Sequence, residues 1–169
     1  MRENPLISDI SSQFDAQLQV QRQVEVADMA TAEATEVTLA GRLLGSVGTE
    51  LELRLMNGES LRGQVLRAAG TWLVLELQRA QLLVWYRSLG AISGLDATPE
   101  WPTKVEERLT AAKILRDFAA SRLEIQFVTH NSSLQGYIQR VGQDFVDIID
   151  HGRQVTLPFD ALLYVSCPR

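Results

Sequence analysis

Three aspartates, Asp144, Asp147 and Asp150, recur in the stretch DFVDIID. Neighbouring carboxylates can move protons or hold a divalent cation. Here they are interleaved with Phe145, Val146, Ile148 and Ile149, which reads as the outward, solvated side of a half-buried strand. Two histidines, His130 and His151, fall in expected turns. No cysteine, histidine or acid pair stands at ligand spacing around them, so no metal residue is assigned. The single cysteine, Cys167, permits no internal disulfide and reads as an inert thiol. Ser11, Ser12, Ser132 and Ser133 lack a histidine partner pattern for a hydrolase triad. Gly41, Gly45 and Gly48 lack the spacing and the lysine of a phosphate-cradling loop. With no nucleophile–base pair, metal cluster or cofactor loop, no catalytic residue and no cofactor is expected, and the chain reads as a non-enzyme.

The residues that point to binding are aromatic and basic. Trp72 reads as core. Trp85 and Tyr86 stand at a turn, where a large apolar group is less expected. Tryptophan is enriched at binding hot spots, so Trp85 either anchors a partner, covers a barrel mouth or packs on another part of the chain. Arg62, Arg67, Arg79, Arg87, Arg140 and Arg153 are spread through the same region. Arg67 and Arg140 are the candidate phosphate contacts, against the commoner role of a charge-paired surface arginine.

Arg67 and Arg140 matter together because the chain says nearly the same thing twice. LRGQVLRAAGTWLVLELQRAQLLV from Leu61 aligns without a gap on LQGYIQRVGQDFVDIIDHGRQVTL from Leu134. That shift lays Gly63 on Gly136, Arg67 on Arg140, Trp72 on Phe145, Leu82 on Val155 and Tyr86 on Phe159. Upstream a shift shorter by one residue lays Leu43 on Leu115, and Leu51, Leu53 and Leu55 on Leu123, Ile125 and Phe127. A fixed period of this kind means two copies of one structural unit. The expected organisation is a tail and helix over 1–34, a first unit over 35–95, a linker over 96–103 and a second unit over 104–169. The two prolines of DATPEWPT mark the linker, and its Trp101 is expected to tuck against a barrel.

Each unit should open with a helix. Gln17–Val26 reads as a preceding helix, although its alternation also suits a strand. Leu39, Leu43 and Val47 form a stripe ended by Gly45 and Gly48. In the second unit Thr103 and Glu106 form a capping box, followed by a stripe of Val105, Leu109, Ala112, Leu115 and Ala119. Five strands follow each helix: about 50–55, 60–68, 71–77, 81–86 and 91–95, then about 122–128, 133–141, 144–150, 153–157 and 162–166. Asn57-Gly58 signals a type I′ hairpin turn, and Asn131 and His151-Gly152 mark turns in the second copy. Trp85–Ser88 and Pro158–Ala161 each read as one tight helical turn.

Helix, then five strands, with a glycine in a long second strand, resembles the Sm-like (LSm-type) small β-barrel superfamily. Gly63 and Gly136 occupy the bend, where a side chain would collide. Asn57-Gly58 followed by Gly63 is similar to the first half of the Sm signature. Asp144 stands where that family often opens its third strand. Asp147, and Val74 in the first copy, stand where the family often carries an RNA-contacting asparagine. The family's second, Arg-Gly-containing signature is in neither copy. The whole arrangement also resembles a group of uncharacterised actinobacterial proteins of similar size. The resemblance implies a mainly β fold of two tandem five-stranded barrels, each preceded by a helix. It also implies a possible pseudo-dimer, because such barrels often assemble through exposed edge strands.

Bulk composition narrows the partners. Hydrophobic residues make up 46% and charged residues 22%, ordinary for a globular protein. A net charge of −5 argues against loose binding to nucleic acid, which runs on Lys and Arg neutralising phosphates. No apolar run approaches membrane length, and the opening MRENPLISDISSQFD has no signal-peptide core. A cytoplasmic binding or scaffolding module is expected, recognising a protein partner through edge strands or through the aromatic surface at Trp85 and Tyr86. The alternative is an Sm-like RNA-binding regulator of gene expression.

Overall fold

A computed structural model describes residues 37–95, 98–101, 103 and 109–169. Thr38–Arg169 form one compact unit. The expected helix at Gln17–Val26 lies outside the described residues. Helix α1 (Leu39–Gly45) precedes strands β1 (Glu50–Leu55), β2 (Ser60–Ala68), β3 (Trp72–Leu77), β4 (Ala80–Trp85) and β5 (Leu89–Ser93). Helix α2 (Ala111–Ala120) precedes β6 (Ile125–Thr129), β7 (Ser133–Val141), β8 (Phe145–Asp150), β9 (Arg153–Pro158) and β10 (Leu162–Pro168). Single 3₁₀ turns, Tyr86–Ser88 and Phe159–Ala161, stand before β5 and β10. All ten strands form one antiparallel sheet, in the order β5-β1-β2-β3-β4-β10-β6-β7-β8-β9, which does not close on itself. Each copy contributes the same local order, and the copies meet where β4 pairs with β10. No described helix is long and apolar enough to cross a membrane.

The helices are shorter than their patterns. Both have a threonine N-cap: Thr38 Oγ1 accepts from Gly41 N at 3.1 Å and Thr110 Oγ1 from Lys113 N at 3.3 Å. Thr103 is therefore not the cap of α2. Val105 and Glu106 lie outside the described residues. In α1 the buried face is Leu43 and Leu44, while Leu39 and Val47 are exposed. The helix ends at Gly45, so Val47 never joins its stripe. In α2 the buried face is Ala111, Ala112, Ile114, Leu115 and Phe118.

The linker docks by its backbone rather than by Trp101, which is 71% exposed. Glu100 N donates to Gly41 O at 2.9 Å. A Cβ on Gly45 would stand 2.3 Å from Thr98 O. Glycines on α1 thus let the linker backbone approach where side chains could not.

The structure also corrects the repeat alignment in the first strand. Leu51 and Leu53 oppose Gly63 and Leu61, while Ile125 and Phe127 oppose Gly136 and Leu134. Leu51 therefore corresponds to Ile125, not to Leu123, which precedes β6 and is exposed. Sliding a strand by two residues preserves its buried face, so alternation alone could not fix this register. The longer α2 and a shorter β6–β7 turn absorb the difference. The Asn57-Gly58 turn is likewise not type I′. Gly58 has φ +88° but Asn57 is not among the positive-φ residues. Gly58 N donates to Leu55 O at 2.9 Å, a turn over Met56 and Asn57 closed by a left-handed glycine. His151 (φ 46°) and Gly152 (φ 79°) do form the type I′ pair.

Gly63 and Gly136 are a matched pair in space. A Cβ on Gly63 would lie 2.3 Å from Glu76 O, and one on Gly136 would lie 2.3 Å from Ile149 O. Register shifts follow at the same place in each copy, between Val65 and Arg67 and between Ile138 and Arg140. The bulges bend β2 and β7 across the neighbouring strand.

The cores explain the longest apolar runs. Leu73, Leu75, Leu82 and Val84 point into a first core with Leu43, Leu51 and Leu53. Trp72, Val74, Leu83 and Trp85, on the opposite face of the same two strands, join a second core with α2, Phe127, Val146 and Ile148. A strand pair buried on both faces reads as continuous rather than alternating hydrophobicity, as WLVL and LLVW do.

Replacing either bend glycine by alanine should cost about 1–3 kcal/mol, the usual penalty of forced overpacking. Gly70→Ala, with nothing within 4 Å of its Cβ, should stay within about 0.5 kcal/mol of wild type. Urea denaturation of the three variants checks this.

Candidate functional site

The seam between the copies is where an edge strand of one pairs with an edge strand of the other. Val84, Leu83, Leu82, Gln81 and Ala80 stand opposite Tyr164, Val165, Ser166, Cys167 and Pro168. Side chains lock this main-chain ladder at one end. The Trp85 and Phe159 rings lie 5.8 Å apart, tilted by 42°. Arg87 donates to Phe159 O, lies 3.5 Å from Leu162 O and from Asp160 Oδ1, and covers the Trp85 ring at 5.3 Å. Partial burial lowers the guanidinium pKa, opposed by the carboxylate of Asp160. Buried Ser88 Oγ lies 2.6 Å from Trp85 O and 2.9 Å from Leu163 O. Across the seam Tyr164 Oη donates to Glu59 Oε1 at 2.9 Å, and Arg169 pairs with Glu76.

This geometry decides the reading of Trp85. It is 3% exposed and packs on the other copy, so it is not a surface anchor. Tyr86 is half-buried, with its hydroxyl donating to Ala69 O at 2.6 Å. The residues that sequence patterns overlooked are Ser88 and the specific role of Arg87. One signal was available: the second copy carries Asp160 where the first carries Arg87. Opposite charges at equivalent positions suit two units joined head to tail.

Arg67 and Arg140 occupy equivalent sites with different surroundings. Opposite Arg140 stands Asp147, and opposite Arg67 stands Val74. Asp147 is 3% exposed. It accepts from Arg140 Nε at 3.0 Å and from Thr156 Oγ1 at 2.5 Å. Arg140 also covers the Phe145 ring at 5.1 Å. The three aspartates are thus not one solvated face. A spacing of three puts Asp147 on the opposite side of the strand from Asp144 and Asp150, where its neighbours bury it. Arg140 is committed to that carboxylate.

Arg67 instead borders a cleft of about 320 Å³ between β2, β3, α2 and the end of β10, walled by Val74, Ile114, Phe118 and Cys167. The Cys167 thiol is buried, 3.7 Å from Ser121 Oγ. Burial pushes its pKa up, which suits an unreactive thiol. His130 and His151 are exposed in turns. No group of three or more potential metal ligands exists among the described residues.

The two ends of the sheet remain. On β9, Arg153, Gln154, Thr156 and Pro158 are exposed. On β5, Gly90, Ala91 and Ser93 are exposed. A charge and a proline are common means of blunting an edge. β9 has both and β5 has neither. In comparisons with known proteins, no family model and no curated protein matches the chain.

Two measurements test the chemistry. Arg140→Ala should cost about 1–3 kcal/mol by stripping a partner from a buried carboxylate. Arg67→Ala should stay within about 0.5 kcal/mol of wild type in the same denaturation assay. Burial also raises the Tyr86 and Tyr164 phenols above their ordinary range, with the Glu59 hydrogen bond adding at Tyr164. Both are held protonated by the fold. Their contribution is present in full below about pH 10, the ordinary phenol value, and is lost as pH rises from there. Denaturation midpoints should fall above about pH 10, and Tyr164→Phe should flatten part of that decline.

Proposed function

We propose that this protein is a non-catalytic binding module that recruits a polypeptide partner by adding one of its strands to an open edge of the sheet. The observation carrying this reading is the seam. There an edge strand of one copy accepts an edge strand of the other through a five-residue register, locked by side chains beyond its end. Main-chain hydrogen bonds contribute about 0.5–1.5 kcal/mol net each. A short ladder therefore supplies useful affinity, and flanking side chains supply choice. At the fold level, the reading takes each half as an Sm-like small barrel. The repeated strand order, the matched bend glycines and the 3₁₀ turn before each last strand support that. Trp85 has no part in partner contact. Tyr86 keeps one, because it is half-buried beside β5.

An RNA-binding role has less support. Of the two equivalent arginines Arg140 holds Asp147, which leaves Arg67 without its duplicated counterpart. Recognition of single strands needs stacking faces and a tracked backbone together.

The test is a pull-down from cytoplasmic extract, run in parallel with and without nuclease treatment, with cross-linking and mass spectrometry of whatever is retained. A polypeptide cross-linked to residues 89–93 or 153–158 is the expected result. Retention of RNA alone, or cross-links confined to other surfaces, would overturn the proposal.

A further inference from the structure

The repeat supplies a comparison for Arg67. In the second copy Arg140 Nε donates to Asp147 at 3.0 Å, and the Thr156 hydroxyl donates to the same carboxylate at 2.5 Å. In the first copy the arginine is kept, but Val74 stands in place of Asp147 and Leu83 in place of Thr156. Both replacements are buried in the second core. Arg67 therefore has the cation of this cluster without its acid. It has no ion-pair partner among the described residues.

What stands beside Arg67 instead is the cleft of about 320 Å³. Its floor is apolar: Val74, Ile114, Phe118 and Cys167 are each at most 6% exposed. The other charged groups on its rim are already matched. Asp117 Oδ1 lies 3.4 Å from Lys113 Nζ, and Arg169 pairs with Glu76. Gln81, half-buried on the same wall, adds a neutral amide. An apolar floor with one uncompensated cation and a few neutral polar groups is the usual make-up of a small-molecule site, and the volume falls at the lower end of that class.

We infer that this cleft binds a small carboxylic acid with a short hydrocarbon body, its carboxylate on Arg67 and its hydrocarbon over Val74, Ile114 and Phe118. The carboxylate gives Arg67 what Asp147 gives Arg140. The volume bounds the body: it equals the share of about ten waters and so admits about ten non-hydrogen atoms. A monoanion suits the site better than a phosphate. One guanidinium offers a carboxylate a single bidentate face, and Asp117 on the rim opposes a second negative charge. The strands that line the cleft, β2, β3, β4 and β10, all lie inside the sheet order. The site is therefore separate from both sheet edges and from any strand added there.

The probe is octanoate, titrated into the full isotope-labelled chain and followed by amide chemical shifts. Saturable shifts at Leu66, Arg67, Val74, Phe118 and Cys167 are expected, with a Kd of about 1 mM or tighter for a ligand of this size. Octanamide, nearly the same shape without the charge, should bind about three- to tenfold more weakly, the worth of a charge-assisted hydrogen bond at a partly exposed site. Acetate, which has the charge without the body, and inorganic phosphate should give no saturable shift over the same range. Arg67 is exposed, so Arg67→Gln should fold normally, and it should bind octanoate and octanamide equally. Four outcomes would overturn the inference. One is no saturable shift at the cleft with octanoate at about ten times that concentration. Another is equal binding of octanoate and octanamide by the wild-type chain. A third is a preference for octanoate that survives in Arg67→Gln. The last is acetate or phosphate binding as tightly as octanoate, which would reduce the site to a bare cation.

Discussion

Everything in this fold hangs on the β3–β4 pair having no solvent face. One side closes the first core with Leu73, Leu75, Leu82 and Val84, and the other closes the second with Trp72, Val74, Leu83 and Trp85. A unit of about sixty residues buries too little surface to be more than marginal alone. Here a single pair of strands serves two cores. The hydrogen bonds of the β4–β10 ladder set the spacing and direction of the second copy. The burial on the second face makes that arrangement stable. Neither is sufficient alone, because a ladder without burial exchanges with water and burial without a ladder leaves the register open.

The same constraint explains why the two copies have drifted apart where they have. At the position of Val74 the first copy looks into the second core. At the equivalent Asp147 the second copy looks away from its own core. There the sequence substitutes a hydrogen-bonded cluster of Asp147, Arg140 and Thr156. Leu83 and Thr156 are equivalent too, apolar where covered and polar where not. The interior positions barely change: Leu73, Leu75 and Val84 match Val146, Ile148 and Leu157. Outward positions follow whatever covers them, so two copies of one backbone came to carry opposite chemistry on equivalent faces.

Much of this was legible in the sequence, and what was not failed for identifiable reasons. Strands 60–68 and 133–141 were readable to the residue, because alternation, glycine and flanking turns agree there. The mainly β class and the 3₁₀ turns followed from the same signals. The ten-stranded sheet itself was not readable, since alternation fixes a face but names no partner strand. For the same reason the first strands were misaligned by two residues. The Thr103 capping box was a valid local pattern that the structure does not use for α2, where Thr110 caps instead. The burial of Asp147 was hidden because its partner on the next strand, Thr156, carries no charge pattern. Trp85 ends β4 rather than standing in the turn, and only the seam reveals that its cover is Phe159.

The seam's asymmetry bears on why the sheet ends where it does. Two identical units joined head to tail leave the same two surfaces open at the ends, and repetition of the joint would extend the array without limit or close it into a ring. Residues at the end of the joint control whether that happens. Arg87 donates to the carbonyls of the second copy's turn, contacts that its counterpart Asp160, having no donor, does not make. Trp85 fills the space over Phe159, and Pro158 at the other end has neither the bulk nor an amide hydrogen. Ser88 bridges two carbonyls, and Ala161 bridges none. The aromatic, arginine and serine contacts of the seam have no counterpart on β9 and its turn, although the backbone there has the same form. Only one end is blunted by these changes. β9 carries a proline and is followed by an acidic turn, whereas β5 has little side-chain bulk and no charge. The two ends of the sheet thus differ in bulk and charge although their backbones are equivalent.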